Sequence, residues 1–168
     1  AVLVDYRTGA VNAAPFQPDS DPVGKVRWTN PIPLPDDPDQ VVLADSRKKI
    51  YRLRVGEQIR SLQEKDLETE MLGKVAGVQD AIIGTTAGPA ADFLVGFEMA
   101  TLERKFKLLL NGRVTWGPVE AGDVCLVQTD DGKLRAFGAD GMQRFDSELP
   151  NGQPVGQPLV DGSTIILT

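Results

Sequence analysis

The residue types that most often carry acid–base or metal chemistry are scarce in this chain. Its 168 residues include no histidine and one cysteine, Cys125. Histidine is the commonest general base and metal ligand, so its absence excludes Ser-His-Asp and Cys-His nucleophiles and His-containing zinc sites. Cys125 lies in the apolar run VCLV (124–127), which predicts a buried thiol without a reactive role. With a single cysteine, no disulfide can form within the chain.

Acidic runs are the remaining candidates for chemistry, because carboxylates can bind calcium. They are QPDSDP (17–22), PDDPDQ (35–40) and TDDG (129–132). A Ca²⁺ ion needs six to eight converging oxygens, and none of the runs has the Asp-x-Asp-x-Asp-Gly spacing of a calcium loop. Asp and Pro are common turn residues, and Asp131-Gly132 suits a hairpin turn. We therefore predict turns and no metal site in these runs.

Two further segments are candidates for anion binding. The segment ADSRKKIYRLR (44–54) contains the basic residues Arg47, Lys48, Lys49, Arg52 and Arg54. It could bind an anion or an acidic partner, but a solvated turn and strand face is the simpler interpretation in an acidic domain. The segment GTTAGPAAD (84–92) lacks the Gly-x-x-x-x-Gly-Lys pattern and does not open a helix, which argues against nucleotide binding.

The overall composition also limits the partners. The net charge is −6 and the pI about 4.7, whereas nucleic-acid backbones require clustered Lys and Arg, so we expect no nucleic-acid partner. No stretch approaches the roughly 20 apolar residues of a membrane helix, so we expect no membrane insertion. The length suggests one domain or one piece of a larger protein. Because the chain begins with Ala1 and has no signal peptide at its start, we expect it to be processed or trimmed from a longer protein.

Short apolar runs separated by turn residues dominate the chain. The runs include AVLV (1–4), QVVLA (40–44), DAIIG (80–84), DFLVGF (92–97), DVCLV (123–127) and STIILT (163–168). Together with 17 glycines and 12 prolines, this pattern predicts an all-β chain of many short strands. A helix over 57–75 is the alternative, since Ile59, Leu62, Leu67 and Met71 fall loosely on one helical face.

The strands recur with a period of about forty residues. The segment PVEAGDVCLVQT (118–129) aligns with PLVDGSTIILT (158–168). Residue pairs that match at a spacing of 40 are Pro118 and Pro158, Gly122 and Gly162, Leu134 and Leu94, and Phe137 and Phe97. Ile50 and Leu53 continue the series toward the N-terminus. Repeats of about this length with four short strands each are typical of propeller blades.

On these residues the sequence resembles the quinoprotein-type β-propeller repeat, also called the PQQ-like repeat. The unit of that family runs roughly Pro-Val, Gly, an apolar strand, Asp-Gly, and then LYALD, TG and W. The segment GPVEAGDVCLVQTDDGKLRAFGADGMQRF (117–145) follows it, with matches at Pro118, Val119, Gly122, Asp131, Gly132, Leu134, Ala136, Phe137 and Gly141. Phe145 stands where the family has Trp, one residue early.

Other units resemble the repeat in the spacing between a small residue and a later docking side chain. Gly96 precedes Phe106 by the ten positions that the family keeps, and Arg52 precedes Leu62 by the same number. The resemblance implies that the small residue leaves room and that the later side chain wedges against the neighbouring blade. At the start, LVDYRTG (3–9) matches the Asp-x-x-Thr-Gly turn of the family, and an insertion delays the expected Trp to Trp28.

The resemblance implies an all-β propeller of four-stranded antiparallel blades, with about four blades' worth of strands in this chain. We expect a half-blade over 1–30, blades at about 38–66, 72–108 and 116–147, and a half-blade over 155–168. Open half-blades expose apolar faces and strand edges. They could be completed within the chain as a four-bladed ring, by a second copy in a homodimer with eight blades, or by further sequence of a longer protein.

The two tryptophans could line a ligand pocket in such a fold. We predict instead that Trp28 packs between blades and that Trp116 lies near the start of a strand. No residue is assigned a catalytic, cofactor-binding or metal-binding role, and no cofactor is expected.

We interpret the chain as a non-catalytic scaffold or protein–protein interaction module, part of a larger bacterial protein, with a protein partner. The family resemblance alone favours an extracytoplasmic location. The alternatives are a propeller that binds a small ligand or carbohydrate on its central face, and a fragment of a quinone-dependent dehydrogenase. The dehydrogenases of the family use a metal ion, a catalytic Asp, a stacking Trp and often an adjacent-cysteine disulfide, none of which carries over to a residue here.

Overall fold

All regular structure in the described part of the protein is β-strand, as predicted. The structure is a computed structural model that describes residues 1–2, 4–5, 7–11, 16–18, 25–150 and 152–168. Runs rich in Val, Ile and Leu form the strands, and segments with Gly, Pro and Asp form the turns between them. Residues 19–22 of the first acidic run lie outside the described residues.

The strands form three four-stranded antiparallel sheets and one hairpin. The first sheet contains β1 (Ile32–Leu34), β2 (Asp37–Ala44), β3 (Lys49–Arg54) and β4 (Arg60–Asp66) in that order. The second contains β5 (Met71–Val78), β6 (Ala81–Thr86), β7 (Phe93–Glu98) and β8 (Arg104–Leu109). The third contains β9 (Val114–Ala121), β10 (Val124–Thr129), β11 (Lys133–Phe137) and β12 (Gln143–Glu148). The terminal hairpin consists of β13 (Leu159–Asp161) and β14 (Thr164–Ile166).

The three sheets share one pairing pattern, which identifies them as copies of one structural repeat. In each sheet the second and third strands pair in continuous register, for example Ile83 with Gly96 and Leu126 with Ala136. The third and fourth strands shift register once, directly after Arg52, Gly96 and Ala136. The four-stranded repeat predicted from the forty-residue period is therefore confirmed.

The alternative helix over 57–75 is wrong. Its residues form β4, which is an edge strand, and the beginning of β5. Gly73 has a φ angle of +65°, a left-handed conformation that would interrupt a helix. Pairing with β3 fixes which side chains of β4 point inward, so the loose spacing of Ile59, Leu62 and Leu67 does not correspond to a buried helical face.

The sheets stack face to face in chain order, with a separate apolar core in each interface. One core includes Val42 and Ile50 of the first sheet with Ile82 and Phe97 of the second, and the next includes Ile83 and Leu94 of the second with Cys125, Val127 and Phe137 of the third. The terminal hairpin packs on the third sheet through Ile165 and the following Leu167. We call the side of a sheet that points to the following sheet its forward face and the opposite side its rear face.

The second sheet is buried on both faces, as its β6 strand illustrates. Ile82 and Ile83 are adjacent, point to opposite faces, and are both fully buried. This explains why the strand begins with the continuous apolar run AIIG (81–84) instead of alternating apolar and polar residues. Full burial of such a side chain contributes roughly 1.5–3 kcal/mol, so Ile82 and Ile83 each stabilise a different interface.

A buried carboxylate links the second and third sheets. The side chain of Asp92, just before β7, accepts a hydrogen bond from Nη1 of Arg113 at 2.7 Å and another from the backbone nitrogen of Val114 at 2.8 Å. Arg113 also donates to the carbonyl oxygen of Gly88 at 2.8 Å. One carboxylate therefore fixes the loop before β7 and the beginning of β9.

The predicted turn TDDG joins β10 and β11 in a hairpin, and the carboxylate of Asp131 organises it. Asp131 accepts hydrogen bonds from the hydroxyl of Thr129 at 2.6 Å and the backbone nitrogen of Lys133 at 3.0 Å, and it pairs with the buried guanidinium of Arg135. The bond from Arg135 is the main cause that lowers the pKa of Asp131 below its ordinary value, and the bonds from Thr129 and Lys133 lower it further.

Replacing Asp131 with asparagine is expected to destabilise the protein at pH 7 by about 1.5 kcal/mol, because charge-assisted hydrogen bonds are lost. The folded-state pKa of Asp131 is lower than the unfolded one, so its contribution is complete above the unfolded pKa and disappears as the pH falls toward the folded pKa. Urea unfolding at pH 7 and pH 3 should show the difference between wild type and Asp131→Asn narrowing in acid. A difference that stays constant or widens in acid would contradict this assignment.

Candidate interaction surfaces

The rear face of the first sheet is apolar and has no neighbouring sheet among the described residues. It is formed by Val41 and Leu43 on β2 and by Tyr51 and Leu53 on β3. The ring of Tyr51 lies 5.6 Å from those of both Phe16 and Trp28, centroid to centroid. Its hydroxyl donates to Asp45 at 3.0 Å. The aromatic side chains therefore cover only part of this face.

An open cavity of about 290 Å³ occupies the rest of the rear face. Its walls are formed by the side chains of Trp28, Val41, Leu43, Leu53, Val55 and Ile59, together with Ala1 and Val2 from the N-terminus. The lining is almost entirely apolar. An apolar group of a partner that is buried in this cavity is removed from water, and this removal favours binding.

The N-terminal residues form the predicted Asp-x-x-Thr-Gly turn beside this cavity. Val4 pairs with Val11 in an antiparallel bridge, and Gly9 has a φ angle of +70°. The side chain of Asp5 accepts hydrogen bonds from the backbone nitrogens of Arg7 and Thr8, each at 2.9 Å. We call residues 1–11 the N-terminal turn, although residues 3 and 6 lie outside the described part.

The forward face of the terminal hairpin is the second open surface. Leu159 pairs with Ile166, so their side chains lie on the same side, and they are 63% and 45% exposed. The opposite side, through Ile165, packs on the third sheet. No described residue pairs with the free edge of β14, which leaves its backbone donors and acceptors open to another strand.

The docking aromatic residues behave differently in the second and third sheets. Phe106 pairs with Gly96, as predicted, and a Cβ atom on Gly96 would lie 2.2 Å from its ring. The same ring lies against Gly141 of the third sheet, so it wedges between neighbouring sheets. Phe145 takes the corresponding place opposite Ala136. It is 41% exposed, and among the described residues no turn between a third and a fourth strand follows the third sheet.

The predicted docking pair of the first sheet is wrong. Arg52 pairs with Gln63, and Leu62 is 44% exposed. The contact with the second sheet is polar instead: Arg52 donates to the carbonyl oxygen of Ala100, and Gln63 donates to that of Thr101 at 2.7 Å. Hydrogen bonds replace the aromatic wedge in this interface.

The two tryptophans lie in different places. Trp28 packs on the rear face of the first sheet, which is where a preceding blade would lie. It also forms a β-bridge with Asp45. Trp116 is near the beginning of β9, as predicted. It lines a wide groove of about 540 Å³ with Lys74 and Gln153.

The basic segment does not form a single positive patch. Lys49 pairs with Glu64 at 2.7 Å, Arg54 with Asp37 at 3.4 Å, and Arg52 is directed to the second sheet. The interpretation as a solvated turn and strand face is the one that fits these contacts. Surface pairs of this kind contribute little to stability.

Chemically reactive groups are not gathered in the described part of the chain. Cys125 is fully buried, and burial raises its pKa, as expected for an unreactive thiol. Within the described ranges, no three acidic or cysteine side chains converge as a metal site would require. Among the same residues, no helix has the length and apolar character needed to cross a bilayer.

Sequence reasoning missed the cavity and the exposed pair Leu159 and Ile166. The exposed pair was predictable from the sequence in principle. Gly162 matches Gly122 at a spacing of 40, which places Ile166 at the position of Leu126 on the forward face. The cavity was not predictable from the sequence, because it depends on where the N-terminal turn and Trp28 dock.

Neither protein-family profiles nor curated protein sequences match this chain. Among solved structures it is similar to BamB from Moraxella catarrhalis, with a TM-score of 0.60 and 12% identity over 83% of this chain and 42% of BamB. It is also similar to BBS1N, solved in complex with ARL6DN, with a TM-score of 0.57 and 16% identity over 84% of this chain and 43% of the other.

A third similar structure is the computationally designed protein Ika8, with a TM-score of 0.56 and 9% identity over 95% of this chain and 42% of Ika8. At these identities the likeness concerns the fold alone. Together with the stacked four-stranded sheets it shows a β-propeller-like fold. The chain spans less than half the length of each of these structures.

Proposed function

We propose that this chain is a non-catalytic β-propeller module of the PQQ-like type that binds protein through its two open end faces. The observation that carries the proposal is the apolar cavity at one end of the stack together with the exposed apolar face at the other. Both surfaces continue the interior contacts of the stack, so a partner that covers them gains the same kind of apolar burial.

The backbone adds to this binding capacity. The free edge of β14 offers hydrogen-bonding groups to an incoming strand, and the adjacent Leu159 and Ile166 offer side-chain contacts. Strand addition with alternate side chains in apolar sites is a common way of binding a polypeptide. BBS1N, which is similar in fold, is described in complex with another protein, and this supports a role in protein interaction in general terms.

The finer parts of the proposal depend on the repeat. The match of segment 117–145 to the PQQ-like unit supports that family and, with it, a bacterial and extracytoplasmic setting. A rigid scaffold of repeated sheets suits an interaction module, since the repeat supplies the platform and the end faces and loops supply the contacts.

Photo-crosslinking tests the proposed surface. Benzoylphenylalanine in place of Leu159, which is 63% exposed on the forward face, is expected to crosslink to protein in cells of the natural host. In place of Leu109, which is 64% exposed on β8, the same group serves as the matched control and should give no adduct. The adducts are identified by mass spectrometry of the crosslinked peptides.

The crosslinks at positions 159 and 109 either support or overturn the proposed surface. A specific adduct at position 159 that disappears on adding Ile166→Asp supports binding at the forward face. Equal yields at the two positions, or no adduct at either, would overturn the proposed interaction surface.

A further inference from the structure

We propose that the two open faces bind each other across two copies of this chain. The inference rests on the proposed function and names the partner: a second copy, joined head to tail. The terminal hairpin of one copy and the N-terminal turn of the other would be the two halves of a single four-stranded sheet. Four observations lead to this arrangement.

The first observation concerns the position of Ile166 in the repeat. Ile166 is the third residue of β14 and pairs with Leu159. In the same way Leu126 is the third residue of β10 and pairs with Val119. Ile83 holds the same place in the second sheet, opposite Ala76. Ile83 and Leu126 are fully buried on forward faces, whereas Ile166 is exposed. Ile166 is therefore a core residue that lacks its neighbouring sheet.

The second observation concerns the surface that such a residue contacts. Ile83 is buried in one cluster with Cys125, Val127 and Phe137 on the rear face of the third sheet. Strand pairing aligns Cys125 and Phe137 with Val41 and Leu53 of the first sheet, and Val127 with Leu43. These three equivalents line the 290 Å³ cavity. The cavity is thus the place that an incoming Ile166 would fill.

The third observation is that the N-terminal turn has the pairing of a third and a fourth strand. The backbone nitrogen of Asp5 donates to Ala10 O at 2.9 Å, as that of Gly138 donates to Met142 O at 3.0 Å. The bridge between Val4 and Val11 corresponds to the pair of Phe137 with Gln143.

This correspondence gives the register of the joined sheet. Phe137 pairs with Cys125, and Ile165 takes the place of Cys125 in the terminal hairpin. Val4 of one copy is therefore expected opposite Ile165 of the other. Both side chains would then point to the rear face, toward the third sheet.

The fourth observation is that the N-terminal turn is already docked where this arrangement requires it. Ala1 and Phe16 lie in the cluster on the rear face of the first sheet, and the N-terminal amine donates to Phe16 O at 2.9 Å. No rearrangement of either copy is needed.

Closure follows from symmetry. Each copy supplies three sheets, the terminal hairpin and the N-terminal turn. Two copies related by a twofold axis would therefore form a ring of eight sheets, in which every described sheet has a neighbour on both faces.

Sedimentation velocity of the purified chain at micromolar concentration tests the association. We expect a species of twice the 18.1 kDa chain mass for the wild type and for the surface control Leu109→Asp. Ile166→Asp should weaken the dimer by at least a hundredfold, while a cooperative melting transition shows that the variant chain still folds. A wild type that stays monomeric, or an Ile166→Asp variant that dimerises as well as the control, would overturn the inference.

Cysteine pairs test the register independently. Val4→Cys with Ile165→Cys should form an intermolecular disulfide and run as a dimer on a non-reducing gel. Val4→Cys with Ile166→Cys should not, because Ile166 points to the other face. Cys125 is buried and does not compete. A disulfide within one chain, or equal crosslinking of both pairs, would contradict the arrangement. A monomeric chain whose Leu159 position crosslinks to a different protein would refute this inference and leave the proposed function standing.

Discussion

Asp92→Ala is expected to lower the free energy of unfolding by about 3 kcal/mol, because a charge-assisted hydrogen bond is lost and a buried backbone donor is left unpaired. The Asp92 side chain is 7% exposed and holds both Arg113 and the backbone nitrogen of Val114. Alanine leaves that backbone nitrogen without its acceptor in a partly buried place. The guanidinium of Arg113 loses its charged partner and keeps only the carbonyl oxygens of Gly88 and Pro89. Urea unfolding at pH 7 measures the effect.

Asp146 supplies the matched control for this substitution. Its side chain is 48% exposed, and it lies 3.9 Å from Nζ of Lys133. Asp146→Ala should change the free energy of unfolding by less than about 0.5 kcal/mol. Asp92→Asn keeps one acceptor for Val114 and should fall between the two. If Asp92→Ala and Asp146→Ala unfolded at the same urea concentration, the link between the second and third sheets would not depend on this carboxylate.

Gly96→Ala is expected to destabilise the protein by about 2 kcal/mol through overpacking. The added methyl group would lie 2.2 Å from Cε1 and 2.4 Å from Cζ of Phe106. The ring cannot withdraw freely, because it also lies against Gly141 of the next sheet. Thermal or urea unfolding of the single variant gives the cost.

A double-mutant cycle supplies the control for this contact. In a Phe106→Ala background the clash is absent, and Gly96→Ala should be neutral or slightly stabilising, because alanine loses less backbone entropy than glycine on folding. The coupling energy between the two sites should therefore be about 2 kcal/mol. Additive effects would show that Gly96 is small for a reason other than Phe106.

The docking residues illustrate what sequence spacing can and cannot predict. The ten-residue spacing of Gly96 and Phe106 predicted a real cross-strand contact, because the register shift falls at a fixed place in the repeat. The same spacing failed for Arg52 and Leu62, because the chain between paired residues of β3 and β4 is one residue longer than that between the equivalent residues of β7 and β8, which brings Gln63 opposite Arg52. Once the docking side chain is not aromatic, hydrogen bonds to the next sheet determine the contact, and spacing alone does not reveal them.

The end surfaces required three-dimensional information for a different reason. A forty-residue period indicates which residues are equivalent, and it places Ile166 with Leu126. It does not tell which equivalents lack a neighbour, since Leu126 and Ile166 are both apolar strand residues. Only the structure shows that the first is covered and the second exposed.

The separate core in each interface has a consequence for how the protein comes apart. Each sheet is held only by the sheets before and after it, so its resistance to opening depends on how many sides are covered rather than on its own sequence. The second sheet, with both sides covered, should be the last to open, and the outer units should fray first. Joining two copies into a ring would give every sheet two neighbours and remove the weak ends from which unfolding begins.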